Sequence, residues 1–302
     1  MTESAPFEAY AANCLLIGEH PLDLGGGAWT RGLIRLSLDG FDLELRQEPW
    51  VISGTKWSDI RGSWRHTTTF RIDNISEQYR DTAVECVAAL AELLSFITAS
   101  EVAFFGWHHS VGSTTARRWS SSGSTNYHTP VLNTHNGALV RSFLETAWPS
   151  FAKERARRKL AAVFHYLALA EREDTPLELQ LAIHFVVLEQ LKHSFAISNG
   201  YVFIAPSFHV PGTVKPSKGS RRGFQALLQA MFASYGMTPA LADIVDLRNE
   251  VLHSGLSARP FSELAEMKGN VIAIIREYLL RLLQYTGRFY TGQVGGVEAV
   301  IL

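Results

Sequence analysis

The first half of the chain alternates apolar and polar residues over short stretches, as strands with one buried face do. Residues 33–46 alternate in this way on both sides of Asp39-Gly40, a pair typical of a two-residue hairpin turn. The threonine-rich stretch 64–72 predicts a further strand, and 101–108 predicts another. The N-terminal half is therefore expected to contain several strands.

A helix is predicted between the last two of these strands. Asn74 is a candidate N-cap with Glu77 at the third helical position, and apolar residues recur at helical spacing as far as Thr98. The run Gly25-Gly26-Gly27 lacks the spacing of a phosphate-binding loop and predicts a turn. Strands and helix together predict a mixed α/β domain over residues 1–149.

The second half has the spacing of amphipathic helices, and residues 150–302 are predicted to be all-helical. Thr175-Pro176-Leu177-Glu178 predicts a capping box before the second helix. Residues 198–219 show no helical pattern and form an insertion long enough to be functional. The predicted helices cover residues 149–171, 176–197, 223–235, 239–254 and 260–287.

The predicted fold class is thus α+β, with an N-terminal mixed α/β domain followed by an all-α helical bundle. The charge divides at the same place, with a net charge of −5 over residues 1–149 and +4 over residues 150–302. This makes the second domain the better candidate for binding a polyanion, although a solvated surface carries such a surplus equally well.

Several classes of protein find no support in the sequence. Cys14 and Cys86 alone provide neither a disulfide framework nor a zinc-ligand pattern. The histidines form no His-Glu-x-x-His motif, so we predict no metal site and no cofactor. The N-terminal segment lacks a signal-peptide pattern, and no uninterrupted apolar stretch is long enough to span a membrane. We therefore expect a cytoplasmic protein without a membrane partner.

Arg248 is unusual because it falls within the apolar stripe of a predicted helix. A guanidinium stays protonated, so it must reach solvent, pair with another group or face a cleft that receives an anion. Asp246, Asn249 and His253 form the adjoining polar face. A permanent cation and a titratable imidazole on one helix suit chemistry on a phosphodiester. The stripe itself consists of Leu241, Ile244, Val245, Val251 and Leu252.

The pattern Arg248-Asn-x-x-x-His253, late in a helical domain, resembles the motif of the HEPN superfamily. The spacing alone is weak, but only this Arg/His pair has Asn directly after the arginine on a well-defined predicted helix. Because a separate domain precedes the helices, the resemblance is closest to the Apea-like HEPN proteins, over roughly residues 150–290. The pairs with similar spacing are Arg61/His66, Arg158/His165 and Arg248/His253.

The resemblance implies a metal-independent endoribonuclease, a toxin that acts in growth arrest or antiviral defence against phages. His253 would move a proton at the 2′-hydroxyl or at the leaving 5′-oxygen, and Arg248 would stabilise charge on the phosphorane. Asn249 would orient the imidazole or contact the scissile phosphate. One helix supplies one imidazole, so the resemblance implies a homodimer whose two motifs face one cleft. It also implies a sensor or regulatory N-terminal domain and an antitoxin or trigger protein as partner.

Glu189 is a candidate partner for Arg248. It shares a predicted helical stripe with Phe185 and Val186, which indicates a partly buried carboxylate. HEPN nucleases often carry an acidic residue on an early helix near the motif arginine, and Glu189 matches that position. The alternative is a glutamate at the edge of the stripe that faces water.

Two basic segments are candidates for phosphate contacts. Lys215, Lys218, Arg221 and Arg222 form the basic end of the insertion and predict a rim that binds RNA. Arg117-Arg118-Trp119 has the composition to hold a nucleic-acid strand by charge and stacking. An exposed loop without a ligand explains this second segment as well.

A non-catalytic interpretation is also open. Arg248 can pair with Glu189 inside the bundle, while His253 lies near the dipole of a helix C-terminus. The protein would then be a HEPN adaptor that binds RNA, a nucleotide or a protein partner and signals by dimerisation. A dimer with both Arg248/His253 pairs in one open basic cleft favours the nuclease, whereas a sealed pair favours the adaptor.

Overall fold

The chain forms two compact units. The computed structural model describes residues 4–52, 63–111, 114–117, 130–172, 174–293 and 296–302. The N-terminal unit runs to Pro149 and takes in residues 171–172. The C-terminal unit comprises residues 150–170 and the described residues from Asp174 onward.

A seven-stranded antiparallel sheet organises the N-terminal unit. Its strands are β1 (Ser4–Ala12), β2 (His20–Gly25), β3 (Ala28–Leu38), β4 (Phe41–Gln47), β5 (His66–Ser76), β6 (Ala103–His109) and β7 (Thr114–Arg117). They lie in the order β2-β3-β4-β5-β1-β6-β7. Ile34, Leu45, Phe70 and Ala9 are neighbours across four strands and are fully buried, so this face of the sheet belongs to the core.

Helices complete the unit. They are α1 (Pro49–Ile52), α2 (Arg80–Thr98) and the first part of α3 (Gly137–Arg158). Helix α2 packs against β1, β5 and β6. The predicted strands at 33–46, 64–72 and 101–108 correspond to β3 with β4, β5 and β6, and the mixed character of this half is confirmed.

The hairpin predicted at Asp39-Gly40 is confirmed. Both residues have positive φ, 50° and 81°, which glycine accepts freely and aspartate better than most residues. Leu38 pairs with Phe41 and Leu36 with Leu43, so the turn fixes the register that buries Leu36 and Leu43. The turn predicted at Gly25-Gly26-Gly27 is also present, and it connects β2 to β3.

The predicted N-cap at Asn74 is wrong. Strand β5 continues through Asn74 because its end pairs with β1, where Ser4 lies opposite Ser76 and Ala5 opposite Ile75. A 3-10 turn over Glu77–Tyr79 follows, and α2 starts only at Arg80. Pairing with a distant strand has overridden the local capping preference.

The helices of the C-terminal unit are the end of α3, α4 (Leu160–Ala170), α5 (Leu177–Ser198), α6 (Phe224–Ala233), α7 (Ala242–Ser254) and α8 (Phe261–Leu282). The single helix predicted over 149–171 is wrong, because α3 begins at Gly137 and Lys159, with φ of 54°, separates it from α4. The predicted capping box is also absent: Pro176 occupies the N-cap and no side chain caps the helix. None of the helices in the described part of the chain is long and apolar enough to cross a lipid bilayer.

The C-terminal unit is not all-helical, contrary to prediction. Two small antiparallel sheets add strands β8 (Val202–Ile204), β9 (Ser207–His209), β10 (Arg221–Arg222), β11 (Gly287–Tyr290) and β12 (Glu298–Ile301). Strands β8 and β9 of the first sheet lie in the segment 198–219, which was predicted to be irregular. There Phe208 is buried against Ala196 and Leu227, so contacts with α5 and α6 hold strands that are too short for a clear sequence pattern.

Candidate active site around Arg248

Helix α7 carries Arg248 at the border between its buried and exposed sides. Ile244, Leu247 and Val251 are buried, whereas Leu252 of the predicted stripe is 38% exposed. The buried side of α7 therefore includes Leu247 in place of Leu252, which the sequence pattern had predicted to be buried. The side chain of Arg248 is 21% exposed. The predicted end of the helix is confirmed, since Gly255 has φ of 75° and its amide donates to the carbonyl of Val251.

Two neighbours hold the guanidinium of Arg248. Its Nη2 donates to Oε1 of Glu189 at 2.6 Å, so the contact expected between these residues is present. Its Nη1 donates to Oδ1 of Asn249 at 2.8 Å. Its Nε is buried and has no hydrogen-bond partner among the described residues. The guanidinium is thus fixed in position by α5 and by its own helix.

Lys192 and Phe224 complete the cluster, and sequence reasoning missed both. Nζ of Lys192 donates to Oε2 of Glu189 at 2.5 Å, and its side chain is only 11% exposed. Cζ of Arg248 lies 4.6 Å and Nζ of Lys192 lies 5.1 Å from the centre of the Phe224 ring. The spacing of Glu189 and Lys192, three apart on one helix, was the available signal for that ion pair.

His253 is exposed in the last turn of α7. An α-helix turns about 100° per residue, so Asn249 and His253 emerge on nearly the same side. Arg248 and His253 emerge about 140° apart. Asn249, which accepts the hydrogen bond from Nη1 of Arg248, therefore emerges on the side of α7 that also carries His253.

The turn after α7 is also fixed. Arg259 donates from Nη2 to Oε1 of Glu250 at 2.6 Å, and the Ser257 hydroxyl donates to Oε2 of the same carboxylate at 2.9 Å. The hydrogen bond from Arg259 holds the pKa of Glu250 below its ordinary value, so this carboxylate stays ionised. These contacts tie the end of α7, and with it His253, to the start of α8.

The predicted basic rim lies on β10 and in the turns before it. Arg221 and Arg222 form β10, paired with His209 and Phe208 of β9, and Lys215 and Lys218 lie exposed in the preceding turns. Arg222 is two residues before Phe224, so their Cα atoms are at most about 7 Å apart. Of these four residues, Arg222 is therefore the one whose backbone lies near Phe224, the ring that contacts Arg248.

The remaining candidate segments belong to the N-terminal unit. Arg117 ends β7, while Arg118 and Trp119 lie outside the described residues. His109 is buried, with Nε2 3.0 Å from the carbonyl oxygen of Ile75, a structural position. No group of His, Cys, Asp and Glu side chains in the described segments is arranged to hold a metal ion.

Comparisons with protein-family models, with curated proteins and with solved structures find no match for this chain. The function is therefore inferred from the side chains of α7 and their neighbours alone.

Proposed function

We propose that this protein is a metal-independent endoribonuclease of the HEPN type that acts in growth arrest or antiviral defence. The observation that carries the proposal is the arrangement on α7. Arg248 is held by Glu189 and Asn249, and an exposed imidazole, His253, follows at the end of the same helix. A fixed cation and an acid/base side chain are two of the groups that cleavage of RNA by its own 2′-hydroxyl uses.

In the proposed reaction the 2′-oxygen attacks phosphorus and the bond from phosphorus to the 5′-oxygen breaks. His253 accepts the proton of the 2′-hydroxyl or donates one to the leaving 5′-oxygen, the two proton transfers that this reaction needs. Arg248 stabilises the negative charge that grows on the phosphorane oxygens. The products are a 2′,3′-cyclic phosphate and a 5′-hydroxyl.

A second imidazole is needed for the other proton transfer. We propose that it comes from a second copy of the chain in a homodimer built through the C-terminal unit. Light scattering of the full-length protein should give the mass of a dimer. Mixing an excess of the His253→Ala protein with wild type should depress the activity per wild-type subunit. A monomer with full activity would contradict the shared site.

The direct test incubates the purified protein with total RNA in the presence of EDTA. His253→Ala and Arg248→Ala should each lose about 10²-fold or more in rate, the usual scale for an acid/base group or a charge stabiliser. His165→Ala is the matched control, because His165 also follows an arginine at similar spacing and is exposed on α4. Products with 3′-hydroxyl ends, or loss of cleavage in EDTA, would exclude this mechanism.

One observation favours the adaptor as a second candidate. Both Nη atoms of Arg248 already have acceptors in Glu189 and Asn249, as in a purely structural ion pair. An adaptor would bind RNA, a nucleotide, an antitoxin or a trigger protein without cutting RNA. Unchanged RNA after incubation with a homogeneous dimer, together with unaltered dimerisation in His253→Ala, would favour this candidate.

A further inference from the structure

The carboxylate of Glu189 is shared by two cations. Oε1 accepts from Arg248 at 2.6 Å and Oε2 accepts from Lys192 at 2.5 Å. Among the described residues, neither Arg248 nor Lys192 forms an ion pair with a carboxylate other than Glu189. The three groups therefore carry a net positive charge, in a place where the Lys192 side chain is 11% exposed and that of Arg248 is 21% exposed.

A second cluster in the same unit shows that this composition alone does not make a site. Glu154 also accepts from two cations, Arg157 and Arg158. There the extra cation is 42% exposed, and it donates to both the hydroxyl and the carbonyl of Ser198. Water and Ser198 therefore compensate Arg157. At Glu189, Arg248 has a neutral acceptor in Asn249, whereas Lys192 has no hydrogen-bond acceptor besides Glu189 among the described residues.

Phe224 brings further positive potential to the Glu189 cluster. Its ring lies against both cations and limits their contact with water. Phe224 is also the first residue of α6, whose N-cap, Gly223, provides no side-chain acceptor for the first amides. The positive end of the α6 dipole thus adds to the charge of Lys192 and Arg248.

We propose that Arg248, Lys192 and Glu189 form a phosphate-binding site in which Arg248 contacts the phosphate. Lys192 offsets the negative charge of Glu189, so that Arg248 still attracts the phosphate. Without Lys192, Glu189 would cancel the charge of Arg248. With Lys192 present, the carboxylate fixes the guanidinium in place and one positive charge is left for the ligand. Lys192 is thus a positioning residue, and its assignment to the RNA phosphate rests on the proposed function.

The charge balance makes a specific prediction for three variants. Lys192→Gln removes the surplus charge and should weaken binding of a short labelled RNA by about tenfold, the scale of one charge-assisted contact. Glu189→Gln in addition to Lys192→Gln restores the surplus and should recover binding to within about threefold of wild type. Lys192→Arg keeps the charge and should bind like wild type.

The RNA carries 2′-fluoro groups in place of its 2′-hydroxyls, so that binding is measured without cleavage. The dependence of log K on log salt should fall by roughly 0.7 in Lys192→Gln, the value for one phosphate contact of a single strand. Lys153→Gln is the control, because Lys153 is an exposed lysine on α3 of the same unit. It should change binding by less than about twofold.

The outcomes separate this inference from the proposed function. Cleavage that needs His253, together with wild-type binding by Lys192→Gln, would overturn the inference and leave the nuclease intact. Binding of 2′-fluoro RNA or inorganic phosphate that follows the charge of the cluster, with no cleavage of unmodified RNA, would support the site and reject the nuclease. Failure of the double variant to recover binding would also overturn the inference.

If Lys192→Gln does not fold, a second variant still tests the proposal. Glu189→Gln alone raises the charge of the cluster and should tighten the binding of inorganic phosphate severalfold, as measured by calorimetry. Unchanged or weaker binding in that variant would overturn the proposal.

Discussion

The two units bury different kinds of polar side chain. In the described part of the N-terminal unit the buried polar residues are uncharged apart from the titratable His109. They are Asn13, Gln47, Thr67, Thr68, Ser76, Ser95, Thr98, Ser100, His109 and Thr134. The C-terminal unit also buries uncharged groups and histidines, but it adds four charged residues. The charged residues are Glu154, Arg158, Lys192 and Arg276, and the others are His184, Ser194, His209 and Thr291.

The neutral groups of the N-terminal unit bind backbone that strand pairing leaves free. Thr67 accepts from the amide of Cys14 at 2.8 Å, and Gln47 accepts from the amide of Leu16 at 3.2 Å. Thr68 donates to the carbonyl of Cys14 at 3.1 Å. These bonds satisfy the segment after β1 without bringing a charge into the core, as a static scaffold requires.

The charged groups of the C-terminal unit have a different cause. Helices satisfy their own backbone, so a buried side chain there is free to serve another purpose. Burying a charge is costly even when it is paired, which makes such groups poor sources of stability. Lys192 lies in the proposed phosphate site, and Arg276 donates to the carbonyl of Tyr290 at 3.0 Å. Two of the four buried charges thus serve the proposed binding site or hold β11, whereas Glu154 and Arg158 pair with each other.

The largest expected effect tests the cost of buried charge on one helix. Glu154→Ala leaves Arg158, whose side chain is 3% exposed, without its carboxylate and should lower the free energy of unfolding by about 3–5 kcal/mol. Glu145→Ala breaks the more exposed pair with Arg141 on the same helix and should cost under about 1 kcal/mol. Urea titration measures the unfolding free energy of both variants. Equal losses would show that the cost of removing the carboxylate does not depend on how deeply its ion pair is buried.

Glu189→Ala should show an intermediate cost, because Glu189 and Arg248 are 32% and 21% exposed. We expect a loss of roughly 1–3 kcal/mol in unfolding free energy, together with lower cleavage activity. A double-mutant cycle with Arg248→Ala should give a coupling well above about 0.5 kcal/mol. Additive effects would remove Glu189 from the site.

Thr68→Val tests the neutral network of the N-terminal unit. Valine has nearly the shape of threonine but lacks the hydroxyl. The carbonyl of Cys14 and the side-chain amide of Gln47 therefore lose this hydrogen-bond partner, which should lower the free energy of unfolding by about 1–2 kcal/mol. Thermal unfolding of the variant and wild type measures the loss. Ser37→Ala, which removes an exposed bond to Asp42, is the control and should change little.

The smallest effect is a pH dependence. The hydrogen bond from Arg141 holds the pKa of Glu19 below its ordinary value. The contribution of this pair is therefore complete above the unfolded pKa and is lost as pH falls through the folded pKa. Between about pH 6 and pH 3, wild type should lose slightly more stability than Glu19→Gln, by under about 1 kcal/mol. An equal loss would show that the pair adds nothing.

Sequence patterns predicted individual elements better than their ends. The β5 pattern was clear, but its extension past Asn74 depends on pairing with β1, whose alanine-rich sequence predicted no strand. The apolar stripe of α7 was recognised, yet burial selects Leu247 over Leu252 because the helix is rotated against its neighbours. Periodicity identifies a helix and its approximate buried side, whereas packing decides the border residues.

The sequence alone determined the hairpin at Asp39-Gly40 and the end of α7 at Gly255. Each of these depends on one or two residues with positive φ, a conformation that glycine adopts readily. Arg248, Asn249 and His253 were likewise visible as neighbours on one helix. Only the tertiary structure brought Lys192 and Phe224 to Arg248, because these residues lie on α5, α6 and α7. A sequence pattern shows which side of a helix is apolar, but the partner of a half-buried charge depends on how separate helices pack.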